Sequence, residues 1–337
     1  MRVLIEGWDS GEPVRALLDA PDASQVRAAE RVTLQFDDVA STSGSGNDAG
    51  GGETEAPTPL RLLLAQQPHL LAQQPHLLAR SPPLLSSVVW DCGLALAEWL
   101  VEREAAPRRR RGGGGAATAA AAAAAAGADA EEEQDGTNST VVELGAGAGA
   151  PGLAAAASGL AKAVLLTDVA EALRGLRANV TRNRLGGKVA VAELDWSRNS
   201  SSSELDVPSS SSSSSSSPPG LLFFGPGSQP PDLILSADVC YPPPPNSNTT
   251  GEDATAAAEA SAAAWAEAAA SLCGPRTRVL VAFEARPGGV PAPEVLRDFL
   301  LREARGRFDR VERLDASGMA FAGAANLELY ELAECKK

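Results

Sequence analysis

Four carboxylates stand at comparable places along the chain. Glu143, Asp168, Asp195 and Asp238 each close, or directly follow, a short apolar run: VVE, LLTD, AELD and LILSAD. Between the first two lies Gly145-Ala146-Gly147-Ala148-Gly149-Ala150-Pro151-Gly152. Glycines at alternate positions after a β-branched run make a tight turn from strand to helix. Without Cβ atoms, such a turn lets a ligand approach bare backbone. Gly145-x-Gly147 followed by Asp168 also fits a dinucleotide fingerprint, so the turn alone leaves the ligand open. Glu143 bears on the choice. A carboxylate two residues before the first glycine repels a pyrophosphate and suits a ligand carrying positive charge.

The elements that must position these acids follow an α/β alternation. Strands are expected at 140–144, 163–167, 188–194, 232–236 and 278–283, with two more at 308–314 and 326–333. Helices are expected from Pro151, over 169–184 with Gly186-Gly187 as its stop, over 255–272 and over 293–305. This is the pattern of a doubly wound, Rossmann-like sheet, in which ligands lie across the carboxyl ends of the strands. One ligand could then meet all four carboxylates. A cationic cofactor with a ribose diol and an exposed adenine answers that description, and S-adenosylmethionine is such a molecule. No metal is called for.

Bulk properties set the frame. The chain has 337 residues with a formal charge of −14, which argues against a nucleic-acid binder and an anionic membrane surface. Two histidines, both in a local repeat, leave no basis for a Ser-His-Asp triad or a histidine metal site. Four widely spaced cysteines without a CxxC read as reduced structural thiols. No apolar run reaches the roughly 18–20 residues of a membrane span. The expectation is a soluble monomer of the cytoplasm, with the nucleus as a further location. Arg108 to Arg111 could serve import, although a charge run in a linker is more simply a solvated one.

Residues 1–85 read as an N-terminal flap, with apolar runs at Val3–Ile5 and Arg31–Phe36, a polar loop at 41–58, and LAQQPHL repeated at 64–70 and 71–77. Pro68 and Pro75 break any coiled coil across that repeat. Residues 86–337 form the main domain, interrupted by low-complexity inserts at 105–137, 197–230 and 242–254 that read as disordered. Setting these inserts and the 41–58 loop aside leaves about 240 residues, enough for one doubly wound domain. Ser86 or Ser87 is a candidate N-cap for a helix whose Cys92, Leu96, Trp99 and Leu100 share a face.

The ordered set VVWDCGLALAEWL (88–100), VVELGAGAGAPGL (141–153), LLTD (165–168), LRANVTRN (176–183), AELDW (192–196) and DLILSADVCY (232–241) resembles the seven-β-strand S-adenosylmethionine-dependent methyltransferases. More narrowly it resembles lysine methyltransferase family 16, the methyltransferase-like 21 group and its relatives. The LAEW, LDW, ADVCY and VAF-x-A-R pattern is similar to the branch that modifies translation elongation factor 2.

The resemblance implies a seven-stranded sheet with its last strand antiparallel, and methyl transfer to a protein lysine of the elongation-factor or chaperone type. It places Gly145, Ala146 and Gly147 along the methionyl part of the cofactor and Asp168 on the ribose hydroxyls. Trp196 lies on the adenine with Asp195 nearby, Trp90 covers the cofactor, and Ala237 touches the adenosyl group. Asp238 and Tyr241 edge the target-amine channel and are the catalytic candidates. Small-molecule methylation and NAD(P)-dependent oxidoreduction are the alternatives. The Asp-Trp after the third strand and the missing catalytic histidine count against the latter.

Overall fold

The computed structural model describes residues 1–9, 12–18, 29–40, 59–66, 88–106, 139–196, 228–239, 251–285, 291–324 and 326–336. The N-terminal strands are β1 (Arg2–Asp9), β2 (Glu12–Leu18), β3 (Arg31–Ala40) and β4 (Pro59–Ala65). Helix α1 (Asp91–Trp99) runs into a π-helical turn at Leu100–Ala105. Then follow β5 (Ser139–Leu144), α2 (Ala150–Ala157), β6 (Ala161–Asp168), α3 (Leu173–Arg182), β7 (Val189–Glu193) and β8 (Leu233–Ala237). The chain continues through α4 (Gly251–Leu272), β9 (Arg278–Glu284), α5 (Pro293–Arg307), β10 (Phe308–Arg313) and β11 (Leu327–Cys335).

The seven-stranded sheet has the order β10-β11-β9-β8-β5-β6-β7. Strands β5 to β9 pair in parallel, and β11 inserts antiparallel between β9 and β10. The doubly wound sheet with an antiparallel last strand, read from the sequence, is what the chain forms. Chain order reverses between β5 and β8. That switch point is where a crevice opens at the carboxyl ends of an α/β sheet.

Strand alternation assigns the two faces. Val141, Val164, Leu166, Leu233 and Leu235 pack with residues of α1, α2 and α3. Val142, Leu144, Leu165, Ile234 and Val281 pack with α4 and α5. The N-terminal sheet, ordered β2-β1-β3-β4, joins the first of these clusters through Val3, Ile5, Val32, Leu34, Leu60, Leu62 and Leu64. Helices α2 and α3 lie against β4 of that sheet, and α1, packed on α2 and β9, has all nine of its residues buried, Asp91 and Glu98 included.

The structure corrects several expectations. The N-terminal part holds four strands where two were expected. β4 escaped notice because Leu63 projects outward, 42% exposed, among inward-facing Leu62 and Leu64, which hides the period of two. Helix α1 begins at Asp91 with an extended Trp90 at its N-cap and no side-chain cap bond from it; Ser86 and Ser87, the expected caps, lie outside the described residues. Val88-Val89-Trp90 favour extended backbone, and the Val89 N–H is taken by Gln66 Oε1.

Helix α3 does not need Gly186-Gly187 to stop it. Arg184 takes a left-handed φ of 57°. Leu185 N–H bonds Val180 O and Arg184 N–H bonds Thr181 O, the paired bonds of a Schellman termination. Residues 251–254, placed in an insert from their composition, form the first turn of α4. The 107–137, 197–227 and 242–250 parts of the inserts, the loop at 41–58 and residues 67–85 lie outside the described residues. Among the described residues no helix is long and apolar enough to cross a membrane.

Candidate active site

The turn after β5 has the backbone its composition demands. Gly145, Gly147 and Gly149 adopt φ of 67°, 54° and 83°, which side-chain-bearing residues rarely tolerate. Ala146 N–H bonds Thr167 O at 2.9 Å and Gly149 N–H bonds Ala146 O at 2.7 Å, so the turn is stitched to β6 and to itself. At Gly145 an added Cβ would lie 2.8 Å from Trp196 Cη2 and 3.3 Å from Val239 Cγ1. The end of β7, the end of β8 and the turn thus meet at one glycine.

The acids divide into two pairs. Glu143 is 1% exposed and lies behind the turn, where its Oε2 accepts Gly152 N–H at 2.8 Å. It does for α2 what the side-chain-free Gly149 cap cannot. Burial pushes its carboxyl up to about 8, opposed by the Gly152 bond and assisted by the charge of Asp168. Asp168 closes β6. Its Oδ2 accepts Gly147 N–H and its Oδ1 accepts Val169 N–H, both at 2.7 Å. Burial raises its pKa as well, against those two amide bonds. Each carboxylate oxygen keeps a second acceptor site, so both backbone bonds are compatible with a diol.

Asp195 and Asp238 are only half-buried. Asp238 is one of three non-glycine residues with positive φ among the described residues, at 59°. Such a conformation costs on the order of 1–3 kcal/mol and persists only where the surroundings impose it. Three contacts impose it here. Asp238 N–H bonds Ala282 O at 3.0 Å. Val239 is buried against the turn. Fully buried Trp265 of α4 donates its Nε1–H to Ser236 Oγ at 2.9 Å, two residues upstream. Ala237, half-buried, is the last residue of β8.

Trp90 is half-buried at the start of α1, and Gly93 of that helix lies against Ala150 and Pro151 of α2. Gly145, Ala146, Gly147, Asp168, Trp196, Ala237 and Asp238 therefore gather around the β5–β8 crevice. Glu143 stands behind it, and Tyr241 lies outside the described residues. Bare backbone at the turn, an acceptor-rich Asp168 and a half-buried indole suit a nucleoside-bearing cofactor with a cationic tail.

Residues 84–208 match the family model described as lysine methyltransferase. The span holds the motifs that carried the resemblance except DLILSADVCY and VAF-x-A-R, so the resemblance to that family is borne out over those residues. Protein-lysine N-methyltransferase EEF2KMT of Mus musculus is 31% identical over 127 residues, covering 34% of this chain and 29% of that protein. The Homo sapiens relative FAM86B1 is 33% identical over 121 residues, covering 32% of this chain and 28% of its own. The chain thus matches less than a third of the length of these curated relatives. Human N-acetylserotonin methyltransferase in complex with SAM is similar at 11% identity with a TM-score of 0.36, over 60% of this chain and 49% of that one.

Residues 84–208 also hold side chains and a glycine that support the turn and its surroundings without carrying a motif's signature. Gly152 permits the Glu143 bond, since a Cβ there would lie 2.3 Å from Leu166 Cδ2 and 2.6 Å from Glu143 Oε2. Thr167 donates its hydroxyl to Glu143 O at 2.7 Å. Glu98 of the LAEW motif accepts the N–H groups of Phe321 and Ala322 at 2.8 Å and so holds the segment before β11. An acid inside an otherwise apolar helix was the available signal for Glu98. The asparagines of LRANVTRN were the signal for Asn179.

Proposed function

We propose that this chain is an S-adenosylmethionine-dependent N-methyltransferase acting on a lysine side chain of a protein. The carrying observation is the meeting of the glycine turn, Trp196 and Val239 at the switch point, with Asp238 held in a strained conformation beside them. The mouse relative named above is a protein-lysine N-methyltransferase, which supports a protein substrate. A protein of the elongation-factor or chaperone type follows from the sequence resemblance.

Bound S-adenosylmethionine supplies an electrophilic methyl group on a sulfonium. The chain's own residues supply placement. Gly145, Ala146 and Gly147 offer backbone without side-chain obstruction, Asp168 offers acceptors to hydroxyls, and Trp196 offers an aromatic face. A lysine ammonium must lose its proton before its nitrogen can act, which costs about 4–5 kcal/mol at pH 7. An apolar wall such as Val239 and Trp196 lowers the amine's pKa by desolvation. Asp238 accepts an N–H of the amine and fixes its lone pair in line. Tyr241 lies outside the described residues, and its part as the aromatic partner of the methylated cation rests on the sequence resemblance alone.

The test is transfer of tritiated methyl from S-adenosylmethionine to proteins of a cell lysate, with the labelled residue identified by mass spectrometry. Label on a protein lysine supports the proposal. Label confined to small molecules, or none with a chain that binds the cofactor, contradicts it.

A further inference from the structure

The N-terminal sheet ends in an edge strand, β4, whose outer backbone groups face α3 rather than another strand. Two asparagines of LRANVTRN meet them. Asn183 accepts Leu63 N–H at 2.7 Å through Oδ1 and donates to Leu63 O at 2.7 Å through Nδ2. Asn179 accepts Ala65 N–H at 2.9 Å and donates to Ala65 O at 3.4 Å. The spacing explains the fit. Four residues of helix rise about 6 Å and two residues of strand about 6.7 Å, so carboxamides at i and i+4 match peptide groups at i and i+2. The pair closes β4 as a neighbouring strand would, and removes a free edge.

Asn179 does one thing more. It is 1% exposed, and its Nδ2 also donates to Ala148 O at 3.0 Å, inside the glycine turn. Arg182 donates to its Oδ1 at 2.9 Å, which keeps the amide oriented with its NH2 toward that carbonyl. Ala148 lies between Gly147, whose N–H is held by Asp168, and Gly149, the left-handed cap of α2. The turn is thus gripped at adjacent residues by two side chains. One is on the cofactor strand, and the other is bonded to the N-terminal sheet.

We propose that Asn179 is a positioning residue that couples docking of the N-terminal sheet to the shape of the glycine turn, so that the edge of β4 sets cofactor affinity. The affinity part rests on the proposed methyltransferase reading. The coupling itself does not.

Three variants test it: Asn179→Ala, Asn183→Ala and Ala65→Pro, the last removing only the outward N–H of an edge strand, a position where proline is tolerated. Two readouts are needed: calorimetric affinity for S-adenosylhomocysteine, and amide hydrogen exchange over residues 145–149, which requires no ligand. Asn179→Ala leaves the Ala148 carbonyl without its donor and should weaken affinity about tenfold and speed exchange in the turn. Ala65→Pro should weaken affinity about threefold, because the carboxamide loses the shorter of its two bonds to the sheet. Asn183→Ala removes as many bonds to β4 but none to the turn, and should change affinity by less than about twofold.

Equal effects of Asn179→Ala and Asn183→Ala on both readouts would overturn the coupling. If Asn179→Ala does not fold, unchanged affinity and exchange in Ala65→Pro overturn it instead. If the wild-type chain does not bind S-adenosylhomocysteine, the methyltransferase reading fails, and the exchange data still decide the coupling.

Discussion

The two halves of the crevice are built on opposite principles. On the β5–β6 side, Glu143 and Asp168 are buried and their oxygens are engaged by the amides of Gly152, Gly147 and Val169. On the β8 side, Asp238 is half-buried and held in left-handed backbone. The first half shapes a cradle from its own peptide groups and is complete before any ligand arrives. The second half presents a carboxylate outward and stores strain to do so. Under the proposed function, the first half is the donor side and the second the acceptor side, and pre-organisation of the one with exposure of the other is what methyl transfer to an incoming protein side chain requires.

That contrast can be broken at either half. The largest effect is expected on the β8 side. Asp238→Ala should lower methyl transfer about 10³-fold, the scale of losing a residue that holds the reacting amine in line, while S-adenosylhomocysteine affinity stays within about twofold. Undiminished turnover would remove Asp238 from the acceptor site. On the β5 side, Gly152→Ala drives a Cβ into Leu166 and Glu143 and should cost about 3 kcal/mol of stability in urea denaturation, with cofactor binding lost alongside. A change below about 0.5 kcal/mol would show that the packing of α2 on β5 can relax.

A smaller effect on the cofactor is expected from Asp168→Asn. It removes charge and sets an NH2 against one of the two backbone N–H groups, of Gly147 or Val169, that Asp168 holds, so S-adenosylhomocysteine should bind about tenfold more weakly, worth about 1.4 kcal/mol. The smallest effect concerns pH. Glu143 keeps its proton in the folded chain up to about 8 and loses it near 4.5 when unfolded. Between those values the folded state holds the extra proton, so stability should fall as pH rises through the window. Glu143→Gln should flatten that decline by about one proton's worth of slope and leave stability near pH 5 within about 0.5 kcal/mol. A pH profile identical to wild type would mean that Glu143 is ionised in the fold.

Much of this was legible in the residues. Alternating β-branched runs ending in acids marked the parallel strands, and the alternate glycines required the positive φ values observed. The hidden parts have physical causes. Trp90's extended backbone and the absence of a cap on α1 follow from a helix buried on every side, where packing replaces capping. β4 was masked by leucines on both of its faces. The opposite fates of Glu143 and Asp238 could not be read locally, because both are acids at strand ends. Only the alternation of the sheet decides that Glu143 turns inward beneath α2. Arg184's left-handed backbone displaced the Gly186-Gly187 stop because the bonds to Val180 and Thr181 close one residue after the last helical turn.

The most direct measurement is a calorimetric titration of the chain with S-adenosylhomocysteine, and with NAD in parallel. The structure predicts saturable binding of S-adenosylhomocysteine at one site per chain and no heat with NAD. Binding of NAD, with none of S-adenosylhomocysteine, would contradict the assignment of the glycine turn to a methyl donor.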